Sequence, residues 1–145
     1  MEELLKIENL SVGIKTPAGK VQAVRDVSFT LHPGEVLAIV GESGCGKSML
    51  CKTIMKLLPK SAKIESGKIY VNGVDITDYS DKDMRKLRGK LFSMIFQDPM
   101  TALNPTIPIG KQIAEAILVH EPKLSKEEVY NRVISLMELV GIQQP

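Results

Sequence analysis

Gly41-Glu42-Ser43-Gly44-Cys45-Gly46-Lys47-Ser48 constrains this chain more than any other stretch. It fits G-x-x-x-x-G-K-[ST], a pattern that bends the backbone so that successive N–H groups face one anion-sized hollow. A helix opening at about Lys47 adds the positive end of its dipole to that hollow. Lys47 is placed to reach the β- and γ-phosphates of a nucleotide, and the Ser48 hydroxyl to ligate Mg²⁺.

The flanks suit the loop. Glu35 to Val40 is short and almost wholly apolar, as expected of a buried parallel strand running into Gly41. From Lys47 to Leu58 the residues Leu50, Ile54, Leu57 and Leu58 recur at helical spacing, and Pro59 stops the run. A flexible Gly/Ser turn accounts for the loop but not for both flanks. Nucleotide binding is therefore the organising expectation.

At 145 residues the chain can build one domain with a core. With 43% hydrophobic and 25% charged residues it has an ordinary globular composition. A formal net charge of +2 gives no reason to expect a nucleic-acid partner. Val36 to Val40 is too short to span a bilayer, and no signal-peptide pattern opens the chain. Cys45 and Cys51, in or just after the loop, suggest neither a disulfide nor a metal site, which points to a reduced, cytosolic setting.

Leu4 to Ile14 reads as a strand, Thr16 to Lys20 as a turn, and Val21 to Leu31 as a second strand. His32-Pro33-Gly34 turns the chain toward the loop, so an antiparallel edge beside a parallel core is expected. Ser66 to Gly73 reads as a strand closed by Asn-Gly, and Ser80 to Arg88 as a surface helix with Ser80 as N-cap. Leu91 to Phe96 is a further apolar strand, and Met100 to Pro108 a loop. Ile109, Ile113, Ala114, Ile117 and Leu118 make a helical stripe up to His120. Ser125 to Glu128 is a capping box, opening a helix with Val129, Val133, Leu136, Met137 and Val140 on one side and Gly141 as its C-terminal glycine.

Several segments together resemble the ATPase subunits of ABC transporters, specifically the N-terminal portion of the oligopeptide/dipeptide importer type. They are Ala23-Val24-Arg25-Asp26-Val27-Ser28-Phe29, the loop itself, Gly67-Lys68-Ile69-Tyr70-Val71-Asn72-Gly73, and the run Phe96-Gln97-Asp98-Pro99-Met100-Thr101-Ala102-Leu103-Asn104-Pro105. The last is the most discriminating, because the phosphate loop alone does not imply it.

The resemblance implies an α/β fold: a P-loop NTPase core with an antiparallel β-subdomain and part of a helical subdomain, an incomplete ABC ATPase domain. Residues 1–34 would begin the β-subdomain, 35–98 would carry the core, and 99–145 would be the partial helical subdomain. ATP and Mg²⁺ are the implied cofactors. Gly41, Ser43, Gly44, Cys45, Gly46, Lys47, Ser48 and Met49 are the implied nucleotide contacts. Gln97 would be the Q-loop glutamine, contacting Mg²⁺ and the attacking water, since an amide donates and accepts at once. Aligned on Asn9-Leu10 and Arg25-Asp26, the position the family gives to an adenine-stacking aromatic falls at Ile14, which has no π face.

The implied partners are permease subunits, met through the region Gln97–Pro105, and a second ATPase subunit, on the cytoplasmic face of the membrane. No LSGGQ-like segment, Asp-Glu strand end or switch histidine occurs; the family carries all three beyond the position of Pro145. Two other readings remain: a module that binds ATP without hydrolysing it, and a small self-contained NTPase or kinase using Asp98 as its Mg²⁺-holding acid.

Overall fold

In the computed structural model residues 2–98 and 102–142 are described, and they fall into two units, Met1–Arg85 and Lys86–Pro145. The first is built on a four-stranded antiparallel sheet. Its strands are β1 (Leu5–Thr16), β2 (Gly19–Leu31), β3 (Ala62–Val71) and β4 (Val74–Asp75), in the spatial order β2-β1-β3-β4. Helix α1 (Lys47–Ile54) lies between β2 and β3 in sequence, and α2 (Asp81–Leu87) follows β4. Ser80 caps α2 as expected, its hydroxyl accepting from the Asp83 N–H at 3.3 Å.

β1 is the central strand, and its irregularity explains the loose alternation of its sequence. The register slips around Asn9 and Asp26, both at φ 47, where side chains satisfy what the ladder loses. The Asn9 N–H donates to Ser28 Oγ at 2.8 Å, the Asp26 N–H to Ser11 Oγ at 3.0 Å, and Asn9 Nδ2 to Asp26 Oδ1 at 2.9 Å. The bulge shifts the side-chain phase, so Ile7 before it and Leu10 and Val12 after it are all buried. Ile69 faces Ile7 across the β1–β3 ladder and joins Ile76 and Met84 in the same core. Asn72 and Gly73, at φ 50 and 76, form the tight turn expected of Asn-Gly.

The second unit is organised by α3 (Ile109–His120) and α4 (Lys126–Leu139). Ile117, Val129, Val133 and Met137 form its buried cluster, with Ile113, Ala114 and Leu124 packed against it. The Ser125–Glu128 capping box is present in both directions: the Glu128 N–H to Ser125 Oγ at 3.2 Å, and the Ser125 N–H to Glu128 Oε2 at 2.8 Å. Gly141, at φ 82, closes α4 as expected. The expected apolar stripes are narrower than the spacing suggested, for Ile109, Leu118, Leu136 and Val140 are exposed.

Three expectations need correction. Residues 35–40 form no strand; Val36 and Val40 are 93% and 90% exposed. Leu91 to Phe96 is not a strand either, with one isolated bridge from Arg88 to Phe92 and Ile95 98% exposed. Helix α1 ends at Ile54 rather than Leu58, because the backbone turns left-handed at Lys56, φ 54. The first two share a cause. A parallel strand exists only when neighbours take up its N–H and C=O groups, and among the described residues no strand pairs with either segment.

Candidate nucleotide site

The phosphate loop sits on α1 as its sequence requires. Gly44 and Gly46 take the positive φ angles 82 and 101 that bend the loop. Gly46 is also the N-cap of α1, and a Cβ there would run into the Ala23 carbonyl of β2. Glycine is thus required twice at this position, for the left-handed backbone and for the close approach to the sheet. Having no side chain, Gly46 leaves the first turn of α1 without a side-chain cap. Those N–H groups are the donors that an anion would take.

Lys47 is folded back across the loop. Its Nζ donates to the carbonyl oxygens of Gly41 and Glu42, 2.6 Å each, and lies 3.4 Å from Cys45 Sγ. The ammonium therefore sits over the loop, held by two neutral acceptors that a phosphate oxygen would outcompete. Ser43, Cys45 and Ser48 are exposed and Met49 is half-buried, its carbonyl accepting from Thr53 Oγ1 at 2.6 Å. The fully buried Thr53 and the buried Leu50 fix the opposite face of the helix.

A cavity of about 750 Å³ opens beside the loop, lined by Ile14, Val21, Val24, Gly44, Gly46 and Lys47, among others. Ile14 and the loop, far apart in sequence, thus border one space. Its volume falls within the common range for small-molecule sites, roughly 300–1,000 Å³. The walls near Ile14 and Val21 are apolar and the loop end is polar, a division that suits a base at one end and phosphates at the other. In the sequence, the third glycine of the loop is the one sign of the Ala23 carbonyl beneath Gly46.

Gln97 and Asp98 belong to the second unit. Gln97 is an exposed bend residue, and Asp98 is likewise exposed. Pro99, Met100 and Thr101, within the segment expected to meet a permease, lie outside the described residues. Beyond them Asn104 is held firmly: its N–H donates to Gln112 Oε1, and Gln112 Nε2 returns to its carbonyl, 2.9 Å each. Among the described residues no helix is long and apolar enough to cross a membrane.

An α/β protein with a phosphate loop seated on a helix inserted between the second and third strands of an antiparallel sheet is the class that this fold and site define. More particularly, the chain belongs to the ABC transporter family, whose family model matches residues 24–144. It is 53% identical to the dipeptide transport ATP-binding protein DppD of Bacillus subtilis, over 100% of this chain and 43% of that protein. It is 50% identical to the oligopeptide transport ATP-binding protein OppD of the same organism, over 98% of this chain and 40% of the relative. The chain thus spans about two fifths of the length of these curated relatives.

Solved structures agree on the fold. A dimeric ATP-binding cassette in a post-hydrolysis state, bound to ADP and Pi, superposes with a TM-score of 0.78 at 22% identity, covering 97% of this chain and 58% of that one. The cbiO1 protein of Clostridium perfringens, part of an ABC transporter complex, gives a TM-score of 0.68 at 28% identity, covering 99% of this chain and 52% of that one. The expectation of an incomplete ABC ATPase domain, antiparallel sheet plus helices, is borne out.

Proposed function

We propose that this chain is the N-terminal, nucleotide-binding portion of the ATP-binding subunit of an importer for peptides or related small solutes. The observation that carries the reading is the placement of the Lys47 ammonium over the loop, beside the uncapped first turn of α1 and on the same cavity as Ile14. The names of the relatives supply the solute class.

ATP would lie with its phosphates against Gly41, Ser43, Gly44, Cys45, Gly46, Lys47, Ser48 and Met49, and its base against Ile14. The donor set fits a polyphosphate: one cation, the two exposed hydroxyls of Ser43 and Ser48 and a helix N-terminus, with no carboxylate among the residues proposed to line it. Mg²⁺ would be held by Ser48 together with phosphate oxygens, its usual mode of binding. When bound, the ion would neutralise charge on the phosphates.

In the larger assembly, residues 1–34 would begin the β-subdomain, 35–98 the core and 99–145 part of a helical subdomain. Residues Gln97–Pro105 would meet permease subunits, and a second ATPase subunit would close over the site, on the cytoplasmic face of the membrane. Residues 1–145 alone should not hydrolyse ATP, because they carry the loop and Gln97 but no LSGGQ-like segment and no acid to activate water.

Calorimetric titration with MgATP tests the site. Lys47→Ala should weaken binding roughly 10- to 100-fold, as expected for losing charge-assisted bonds of about 1.5–3 kcal/mol. An unchanged dissociation constant would remove the assignment. Phosphate release by residues 1–145 should be no faster than by the Lys47→Ala variant, whatever the protein concentration.

A further inference from the structure

Helices α1 and α4 end in the same hydrogen-bonded turn but with different residues at its critical position. At the end of α4 the Gly141 N–H donates to the Glu138 carbonyl at 2.9 Å and the Ile142 N–H to the Met137 carbonyl at 3.0 Å. At the end of α1 the Lys56 N–H donates to the Thr53 carbonyl at 3.0 Å and the Leu57 N–H to the Lys52 carbonyl at 2.7 Å. Both are the Schellman arrangement, which needs one left-handed residue and favours glycine there. In α4 that residue is Gly141; in α1 it is Lys56, at φ 54. A side chain with a Cβ is strained in this conformation, so its presence calls for a compensating contact.

The contact is visible. Lys56 Nζ donates to the carbonyl oxygen of Thr77, just past β4. That acceptor is anchored on every side. Thr77 is buried; its hydroxyl accepts from the Ile69 N–H of β3 at 2.9 Å, and its own N–H donates to Asp75 Oδ1 at 2.8 Å. Asp75 Oδ2 in turn takes Lys68 Nζ at 2.8 Å. Burial lowers the Lys56 pKa, while Asp78 and Asp75 act in the opposite direction. The strained lysine thus ties the last turn of α1 to the edge of the sheet core.

We propose that Lys56 is a positioning residue for the phosphate loop: by latching the C-terminal end of α1 to the Thr77 carbonyl, it fixes where the other end of the helix presents its donors. An eight-residue helix behaves as one short rod, so holding its far end limits the tilt of Lys47 and Ser48. The proposal rests on the nucleotide-binding reading, which the Lys47→Ala control tests separately.

Lys56→Gly removes the latch while relieving the strained backbone. Lys56→Asn tolerates the left-handed conformation but is too short to span to Thr77, and Lys56→Arg keeps both cation and reach. Binding of MgATP by residues 1–145 is measured by calorimetry, and amide hydrogen exchange across Lys52–Leu57 in the same samples. Glycine and asparagine should each weaken MgATP binding roughly tenfold and speed exchange at the end of α1. Arginine should stay within about twofold of the parent on both readouts.

A purely local cap predicts the opposite for glycine, slower exchange and unchanged binding, and that result overturns the proposal. So does an arginine variant as weak as glycine. If Lys47→Ala abolishes binding while glycine at position 56 leaves it intact, only the latch fails. If the parent chain itself does not bind MgATP, the nucleotide reading fails and the positioning role falls with it.

Discussion

β1, which alternates loosely, and residues 35–40, almost wholly apolar, both carry the β-branched residues that favour strands, and they meet opposite fates. β1 lies between β2 and β3 and buries Ile7, Leu10 and Val12. Residues 35–40 have no ladder among the described residues, and Val36 and Val40 stand in the open. A strand is a property of a pair of segments. Composition makes a segment eligible, and neighbours on either side decide whether it folds as one.

The largest expected effect sets those two regions against each other. Ile69 is fully buried and faces Ile7 across the ladder, so Ile69→Ala should destabilise by about 2–5 kcal/mol in urea unfolding. Val40→Ala, on the unpaired segment, should stay within about 0.5 kcal/mol. Comparable losses at both positions would show that 35–40 is packed in solution and would break the comparison. The same exposed apolar run should make residues 1–145 self-associate as concentration rises. Sedimentation showing a monomer throughout, with a sharp and concentration-independent thermal transition, would count against it.

What was legible in the sequence follows from the same physics. The loop, the first two strands, the Asn-Gly turn and the ends of α4 were readable because local chemistry specifies them: glycines at positive φ, a capping box, alternation over a paired strand. The strands expected at 35–40 and 91–96 were not, because their formation depends on partners that no local pattern reveals. The bulge at Asn9 and Asp26 was hidden for a related reason, since it rests on Ser11 and Ser28 meeting them across two strands. Within the site, the pattern named Lys47 but gave no sign that it folds back onto the carbonyls of Gly41 and Glu42. The loop pattern by itself says nothing of Ile14, which only the family resemblance places at the base; that it shares the cavity of the loop depends on the β1–β2 hairpin lying beside α1.

A smaller effect tests how local a locally specified element is. Ser125→Ala removes the acceptor for the Glu128 N–H and leaves the N-terminus of α4 half-capped. The expected loss is about 1 kcal/mol, typical of an N-cap deletion. Hydrogen exchange should quicken in the first turn of α4 and leave β1 and β3 unchanged. Faster exchange in the sheet as well would mean that the two units unfold together, and would blur the contrast between local and partner-dependent elements.

The smallest expected effect is electrostatic and sits at the edge of the paired sheet. Asp75 is pushed down to about 2 from an ordinary 3.8, first by the hydrogen bond from Lys68, then by those from Thr77. The Lys68 ammonium is raised by the same contact, so both partners give the same direction. A carboxyl with a lower pKa in the folded than in the unfolded state stabilises above its unfolded value, and loses that contribution as pH falls toward the folded one. The window is therefore about pH 4 down to about pH 2. Asp75→Asn should be less stable than the parent near neutrality, and the gap should close as pH falls through that window. Both partners are substantially exposed, so the gap should be smaller than that for Ser125→Ala and should shrink in high salt. Urea unfolding at several pH values decides the matter: a constant gap across the window would show that Asp75 acts through its shape in the β3–β4 corner and not through its charge.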